Sequence, residues 1–549
     1  MVLIYGRDAA AIEAGQLLES SLDVSVLMHA DASATPWQAL EFPVARGLIR
    51  SAKGHFGAFE LMVDRYAPPA PAAHGLTAFG SPRDNAVSRC DIILDLSGGT
   101  PLFPAPDLRD GYLRADPRHR DGWLSAVSKA RDLVGTFEKP RYIEFTDSRC
   151  AHSRSRIIGC TRCLDVCPAG AIAPAEDHVS IDPYICAGCG QCAAVCPTDA
   201  ATYTLPSADE LMRRLRAELL AHQQSGGKAA TILLHDGAHG MPLIQMLQCH
   251  EGLPEDTLPL AVNEVTQVGL ETLAAAFLYG AAAVRFLVRA RQRHDIASLY
   301  STIALTESIL LGLGFGNGRI ATIETDDPEA LGLALRSIPD MPPVARPASF
   351  LPMGGDKAAM RRQVLRQLHR AAPTPVDLIS LPRGSPFGSV DVHVEDCTLC
   401  LSCVSACPTA ALQDHGDQPM LRFTEDACIQ CGLCQATCPE KVISLTPQMD
   451  FRAASASARI LKTEQPFCCV RCGKPFGVKS IIERVTAKLA EKHWMYTNAS
   501  QRLELIKMCD DCRVAAVSEQ NLDPYGPPRP AVRTTEDYLR ERAAPKDEL

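Results

Sequence analysis

Aromatic side chains are scarce in this chain, at 5% of its 549 residues, which argues against the stacking platforms that bind single-stranded nucleic acid. Positive charge is also in short supply. The formal net charge is -9, so phosphate backbones would be repelled, and the expected partners are proteins with basic docking faces. No apolar run reaches the ~18 residues of a membrane span. The best candidate, Leu273 to Val284, stops at Arg285 and reads as a buried helix entering a strand. The start, Met1 to Gly6, has no basic segment ahead of a long apolar stretch, which predicts no secretion signal and a reducing, cytoplasmic location. Lys546 to Leu549 match an ER-retention address, which is never read without such a signal. The fingerprint G-x-G-x-x-G is missing as well. Gly6 follows an apolar run and alone supports a structural α/β domain, not a nucleotide site.

Cysteine is what the chain has in excess, with 23 residues. Disulfide scaffolds are short and secreted, whereas these cysteines gather in C-x-x-C units along a long chain with a hydrophobic content of 46%, ample for real cores. Four clusters of them end in Cys-Pro. They are Cys160-x2-Cys163-x3-Cys167, Cys186-x2-Cys189-x2-Cys192-x3-Cys196, Cys397-x2-Cys400-x2-Cys403-x3-Cys407 and Cys428-x2-Cys431-x2-Cys434-x3-Cys438. A cubane iron–sulfur core needs four thiolates at tetrahedral corners. The C-x2-C-x2-C turn wraps three of them, and the fourth cysteine of each run ligates the neighbouring cluster. Zinc rarely uses three cysteines two apart with a closing Cys-Pro.

By that crossing rule Cys186, Cys189, Cys192 and Cys167 form one ligand set. Cys397, Cys400, Cys403 and Cys438 form a second, and Cys428, Cys431, Cys434 and Cys407 a third. The fourth would take Cys160, Cys163 and Cys196, and here the pattern breaks. Regular spacing calls for a cysteine where the chain has Ile157, and Cys150 lies seven residues upstream. Cys150 is read as the displaced ligand on an enlarged loop. A three-iron cluster, an exchangeable fourth ligand and His152 are the alternatives. Arg154 and Arg156 on that loop would raise the cluster's potential or meet an anionic partner, unless they are simply solvated. Ile172, Leu412 and Ile443, which follow the Cys-Pro steps, should shield the clusters from water.

A further site pairs Cys469-x2-Cys472 with Cys509-x2-Cys512, two knuckles of the kind that build a tetrahedral thiolate centre, with zinc as the expected metal. Rubredoxin-type iron and an iron–sulfur cluster using Cys468 remain as alternatives. With four cubanes and one zinc, the metal sites would add about -8 and about -2 to the charge. Cys90, Cys249 and Cys468 are left over and are expected as small buried hydrophobes.

The predicted fold class is α/β, with two inserted ferredoxin-like α+β modules and a C-terminal zinc-ribbon-like module. Residues 1–145 read as an α/β domain, with strands at Val2–Tyr5, Val24–Met28, Ile92–Leu96 and Tyr142–Phe145, helices at Ala9–Glu19 and Trp123–Val134, and a loop over Arg65–Pro82. Residues 146–205 hold the first cysteine module. Residues 206–340 form a second α/β unit, opened by a capping box at Ser207–Glu210. Strands at Thr231–Leu234, Leu260–Val262, Val284–Val288 and Ile320–Ile323 alternate there with helices near 241–250, 267–280 and 297–312, which predicts a parallel sheet. The glycine run Gly312 to Gly318 lies between helix and strand and reads as a C-cap and turn, since phosphate loops run from strand to helix. Residues 341–389 read as a linker carrying one helix, 390–447 as the second cysteine module, 460–515 as the thiolate-metal module, and 516–549 as a polar tail. His235, Asp236 and His239 follow a strand where a doubly wound fold places sites, but without partners they read as structural.

The cysteine runs resemble the bacterial 4Fe-4S dicluster ferredoxins over two stretches of about 60 residues. More loosely, Val262-Asn263-Glu264 and Leu278-Tyr279-Gly280 resemble the small electron-transfer subunits of hydrogenase–heterodisulfide reductase systems. The whole arrangement is similar to the multi-cluster ferredoxins that accompany formate dehydrogenases and other molybdenum enzymes. That resemblance implies a polyferredoxin relaying electrons between a dehydrogenase or reductase and another carrier, and no catalytic residue of its own. An accessory or maturation factor for a molybdenum enzyme, and an oxidoreductase with substrate at the irregular cluster, are the alternative readings.

Overall fold

Strand Val2–Gly6 is buried along its whole length, and its alternating side chains divide between two cores. Val2 and Ile4 pack with Ile12, Leu18, Trp123 and Val127, while Leu3 and Tyr5 pack with Phe59, Leu61 and Ile93 on the opposite face, as the two-residue period of a strand requires. In this computed structural model the described residues are all except 33–39, 71–77, 345–346, 351–356, 417, 493–499, 521–533, 537–538 and 541–549. They divide into two units. One holds Met1–Gly388 with Ile429–Cys431 and Pro447–Arg452, and the other holds Ser389–Cys428, Gly432–Thr446 and the chain from Ala453.

The first unit opens with a seven-stranded sheet. Val2–Gly6 runs parallel to Val24–His29 and to Ile92–Leu96. Tyr112–Arg114 extends one edge in parallel, and Val44–His55 follows Val24–His29 on the other side. The sheet then turns antiparallel through Ala58–Ala67 and Ala86–Cys90. The long hairpin of Val44–His55 and Ala58–Ala67 was not foreseen from the sequence, because polar residues interrupt both strands. The turn rests on Gly54 and Gly57, whose φ angles of +96° and +83° suit glycine. Its second strand also takes Arg65–Ala67 out of the expected loop, and Pro69–Ala70 pairs with Ala78–Phe79.

Ile143–Phe145 does not join this sheet. It pairs antiparallel with Ala201–Tyr203, so the first cysteine module is closed by its own two ends. From there Ser207 caps helix Ala208–Gln224, its hydroxyl accepting from the Glu210 N–H at 3.2 Å. Four parallel strands follow. Their order across the sheet is Thr257–Val262, Thr231–Asp236, Ala283–Val288, Ile320–Glu324, and the two inner strands are fully buried. Ile232 and Leu234 face a core with Leu273, Phe277, Leu310 and Leu365. Leu233 faces another with Leu243, Leu247 and Leu331. Helices therefore cover both faces. The helix Lys357–Arg370, which the sequence places in a linker, lays Met360, Val364, Leu365 and Leu368 into the first of these cores.

In the second unit, Met420–Phe423 pairs with Leu412–Gln413 and with Arg459–Thr463. Strands Pro466–Cys468 and Pro475–Val478 form a hairpin ahead of helix Lys479–Lys492. No described helix is long and apolar enough to cross a membrane.

Candidate metal centres

One hydrogen bond is repeated four times around the cysteine runs. The N–H of Thr146 donates to the carbonyl of Ala200 at 2.8 Å, Asp182 to Ala171 at 2.8 Å, Thr424 to Ala411 at 2.8 Å and His393 to Val442 at 2.9 Å. Each donor stands four residues before a cysteine, namely Cys150, Cys186, Cys428 and Cys397. Each acceptor stands four residues after the cysteine of a Cys-Pro step, namely Cys196, Cys167, Cys407 and Cys438. The bonds therefore tether the start of each run to the end of its partner run. In three cases the tethered start is the regular first cysteine, and in the fourth it is Cys150.

The nine residues between Cys150 and Cys160 are accommodated by a hairpin. Ser153–Arg154 pairs with Ile157–Ile158, and Ser155 and Arg156 hold φ angles of +51° and +68°, the signature of a two-residue turn with both central residues left-handed. The ladder closes with Gly159 N–H on the His152 carbonyl at 2.7 Å and Cys160 N–H on the Ala151 carbonyl at 3.0 Å. Cys150 is thereby brought back to Cys160, and Ile157 is carried away into the hairpin. His152 is buried, and its Nδ1 bonds the Cys160 carbonyl at 3.0 Å. Arg154 is turned onto the carbonyls of Ser153 and Asp177.

The sulfurs of the first module gather in two groups. Burial first, then the neighbouring sulfurs of Cys160, Cys196 and Cys150, push the Cys163 thiol up to about 12. Burial, and then Cys189, Cys186, Cys167 and, across from the other group, Cys163, raise Cys192 well above the usual thiol range. Cys189 is likewise pushed up to about 12 by burial, against a backbone N–H at Gln191. Thiols so placed do not ionise alone, and a cationic iron core supplies the charge that would make them thiolates. Backbone donors are already aimed at the sulfurs, as with Ala171 N–H on Cys167 Sγ at 3.3 Å. The donor set and its surroundings fit cubane clusters.

In the second module Cys397, Cys400, Cys403 and Cys438 line one cavity with Leu399, Leu421 and Ile443. Burial, then Cys400 and Cys397, push Cys403 up to about 12. Leu412 and Ile443 are buried in the same core as Cys403 and Cys434, and Ile172 packs against the equivalent core of the first module. Lys462 is nearly enclosed. Its ammonium donates to the carbonyls of Val394 and Cys397 and pairs with Glu464 at 2.7 Å.

The ligand atoms of Cys469, Cys472, Cys509 and Cys512 lie within 4.8 Å of one another. Gly473, with φ +76°, completes a tight turn in which its N–H bonds the Cys469 carbonyl at 2.9 Å. Burial raises the Cys469 thiol, but backbone N–H groups at Cys509, Cys472 and Arg471 outweigh it and bring the group down to about 6. Cys512, hydrogen-bonded to the other three sulfurs, is raised in turn, so the four thiols share their ionisation and a divalent metal would supply the charge that makes them all thiolates. Of the left-over cysteines only Cys90 is buried. Cys249 and Cys468 are exposed, which corrects the expectation of small buried hydrophobes, because both lie on outward faces of their elements.

The first module is seated against the central sheet by groups that sequence reasoning passed over. Thr266 Oγ1 donates to the Cys189 carbonyl at 2.6 Å, and Tyr203 links Asn263 to the Gly188 carbonyl. Gln191 donates to the Asp295 carbonyl at 2.8 Å and accepts from Ser298. Lys357 and Arg361 reach the carbonyls of Ala193 and Cys196. Polar residues on separate elements carry no spacing signal, so only the fold could reveal them. His235 and His239 are buried. His239 pairs with Asp326 at 3.0 Å, and His235 bonds the Asp236 carbonyl.

Residues 157–200 and 396–443 each match a family model described as a 4Fe-4S dicluster domain. The first match opens at Ile157, so Cys150 stands outside it. No curated protein matches the chain.

Proposed function

We propose that this chain, which carries two 4Fe-4S dicluster domains of the ferredoxin type, relays electrons through four cubane clusters as a polyferredoxin. When bound, such clusters take up and give back single electrons without altering a substrate. The protein's part is to hold the thiolates, exclude water and direct N–H groups at the sulfurs. The ligand sets are Cys186, Cys189, Cys192 and Cys167; Cys160, Cys163, Cys196 and Cys150; Cys397, Cys400, Cys403 and Cys438; and Cys428, Cys431, Cys434 and Cys407. The observation that carries this reading is the fourfold N–H to carbonyl tether, which joins Cys150 to Cys196 just as it joins the regular pairs. Cys469, Cys472, Cys509 and Cys512 hold a structural zinc in a ribbon-like module. The partners are redox proteins, a dehydrogenase or reductase on one side and a carrier on the other, and the free thiols suit a reducing, cytoplasmic compartment.

Anaerobic purification tests the proposal. About 16 iron and about 16 acid-labile sulfide per chain are expected, with one zinc, broad visible absorption that bleaches on reduction, and no resolved flavin bands. A colourless protein without sulfide would end it. A flavin spectrum would instead favour an oxidoreductase.

A further inference from the structure

The two cysteine groups of the first module stand in different electrostatic surroundings. Around Cys160 and Cys196, cations dominate. Lys357 and Arg361, both nearly enclosed, share the buried carboxylate of Glu271 at 3.1 and 3.8 Å. The Lys357 ammonium is hydrogen-bonded to the Ala193 carbonyl and the Arg361 guanidinium to that of Cys196 at 3.3 Å. Arg162, bonded to the carbonyls of Gly384 and Ser385, is close enough to Cys160 and Cys196 for their charges to be coupled. Arg149 pairs with Asp199 at 3.3 Å. Four cations thus face two carboxylates.

Around Cys167, Cys186, Cys189 and Cys192 the charges are balanced. Arg109, Lys139, Arg289 and Arg293 are the cations, and Asp110, Asp182, Asp236 and Glu264 the carboxylates. Reduction adds an electron to a cluster that is already anionic with its thiolates. Fixed positive charge in a dry surrounding therefore favours the reduced state and fixed negative charge opposes it.

We propose that Lys357 and Arg361, with Glu271 holding them in place, are positioning residues that set the cluster of Cys150, Cys160, Cys163 and Cys196 at a higher potential than its neighbour, making it the resting place of the first electron in that module. The proposal rests on the ligand set given above. Helix Lys357–Arg370 then does more than fill the core, since it delivers one ammonium and one guanidinium to the carbonyls of Ala193 and Cys196.

The test is a potentiometric titration of the full chain, followed by EPR, on the wild type and four variants. The Cys150→Ser spectrum first identifies this cluster as the signal that disappears. Lys357→Met should then shift its midpoint down and Glu271→Gln should shift it up, while Lys357→Arg stays near the wild type. A structural disturbance would not produce opposite signs. Unmoved midpoints, or shifts of one sign in both variants, would overturn the proposal. If Lys357→Met fails to hold the cluster, the isosteric Glu271→Gln decides, with an upward shift in support and any other result against. If Cys150→Ser removes no signal that the wild type shows, the ligand set itself is refuted instead.

Discussion

Thr146 and Ala200 are joined by a 2.8 Å backbone hydrogen bond, and that bond does for Cys150 what its three counterparts do for regular first cysteines. It fixes the chain four residues ahead of the thiol and four residues past Cys196. The enlarged loop is then a hairpin set into an otherwise ordinary half-module.

Cys150→Ser should accordingly remove one cluster and leave about three-quarters of the iron and sulfide. Adding Ile157→Cys to that variant should not restore it, because residue 157 is paired with Arg154 in the hairpin. Iron analysis and EPR read both outcomes. Full iron content in the single variant, or rescue by the second substitution, would disprove the displaced ligand.

Gly190 and Gly432 occupy equivalent places after Cys189 and Cys431, with φ angles of +76° and +82°. A Cβ at Gly190 would lie 2.4 Å from the Gln267 Cβ and 2.7 Å from its Cα, whereas one at Gly432 meets nothing within 4 Å. Gly432→Ala should cost about 1–2 kcal/mol of backbone strain. Gly190→Ala should cost that plus about 1–3 kcal/mol of overpacking. Denaturant titration of the two variants should therefore give unequal midpoints, and equal ones would contradict the close seating of the first module on Gln267.

Removing Lys462 should unsettle the second module. Lys462→Met leaves Glu464 without its cation and two carbonyls without a donor, which for a buried pair costs about 3–5 kcal/mol. The double variant with Glu464→Gln should recover part of the loss, since no unpaired charge remains. Thermal unfolding and iron retention measure both. Glu464 is held below the usual carboxylate range, where burial is outweighed by Lys462 and Ser480. Its contribution is thus present above the ordinary carboxylate pKa and fades as pH falls through the lowered folded value.

The four-thiolate site should be separable from the clusters. Cys509→Ser is expected to remove one zinc per chain while the iron content and visible spectrum persist. Loss of iron together with zinc would mean the site belongs to an iron–sulfur centre.

Much of this was legible in order along the chain. The strands and helices of residues 207–324 follow from apolar runs punctuated by glycine and a serine cap, because a buried parallel strand needs no partner-specific residue to be recognised. The hairpin of residues 44–67 was not, since its strands are only half buried and their polar positions break the pattern.

The chain's residues alone determined the chemistry. Cysteines two apart, ending in Cys-Pro, specify a local turn that wraps a cluster, and local geometry is what spacing encodes. Only the tertiary structure decided how Cys150 is carried back toward Cys160, and which charges stand beside that corner. Cys150 returns to Cys160 through a hairpin, and Lys357 reaches Ala193 from more than 160 positions away. Such approaches are set by packing and by burial of backbone carbonyls that need a donor, and no interval along a sequence records them.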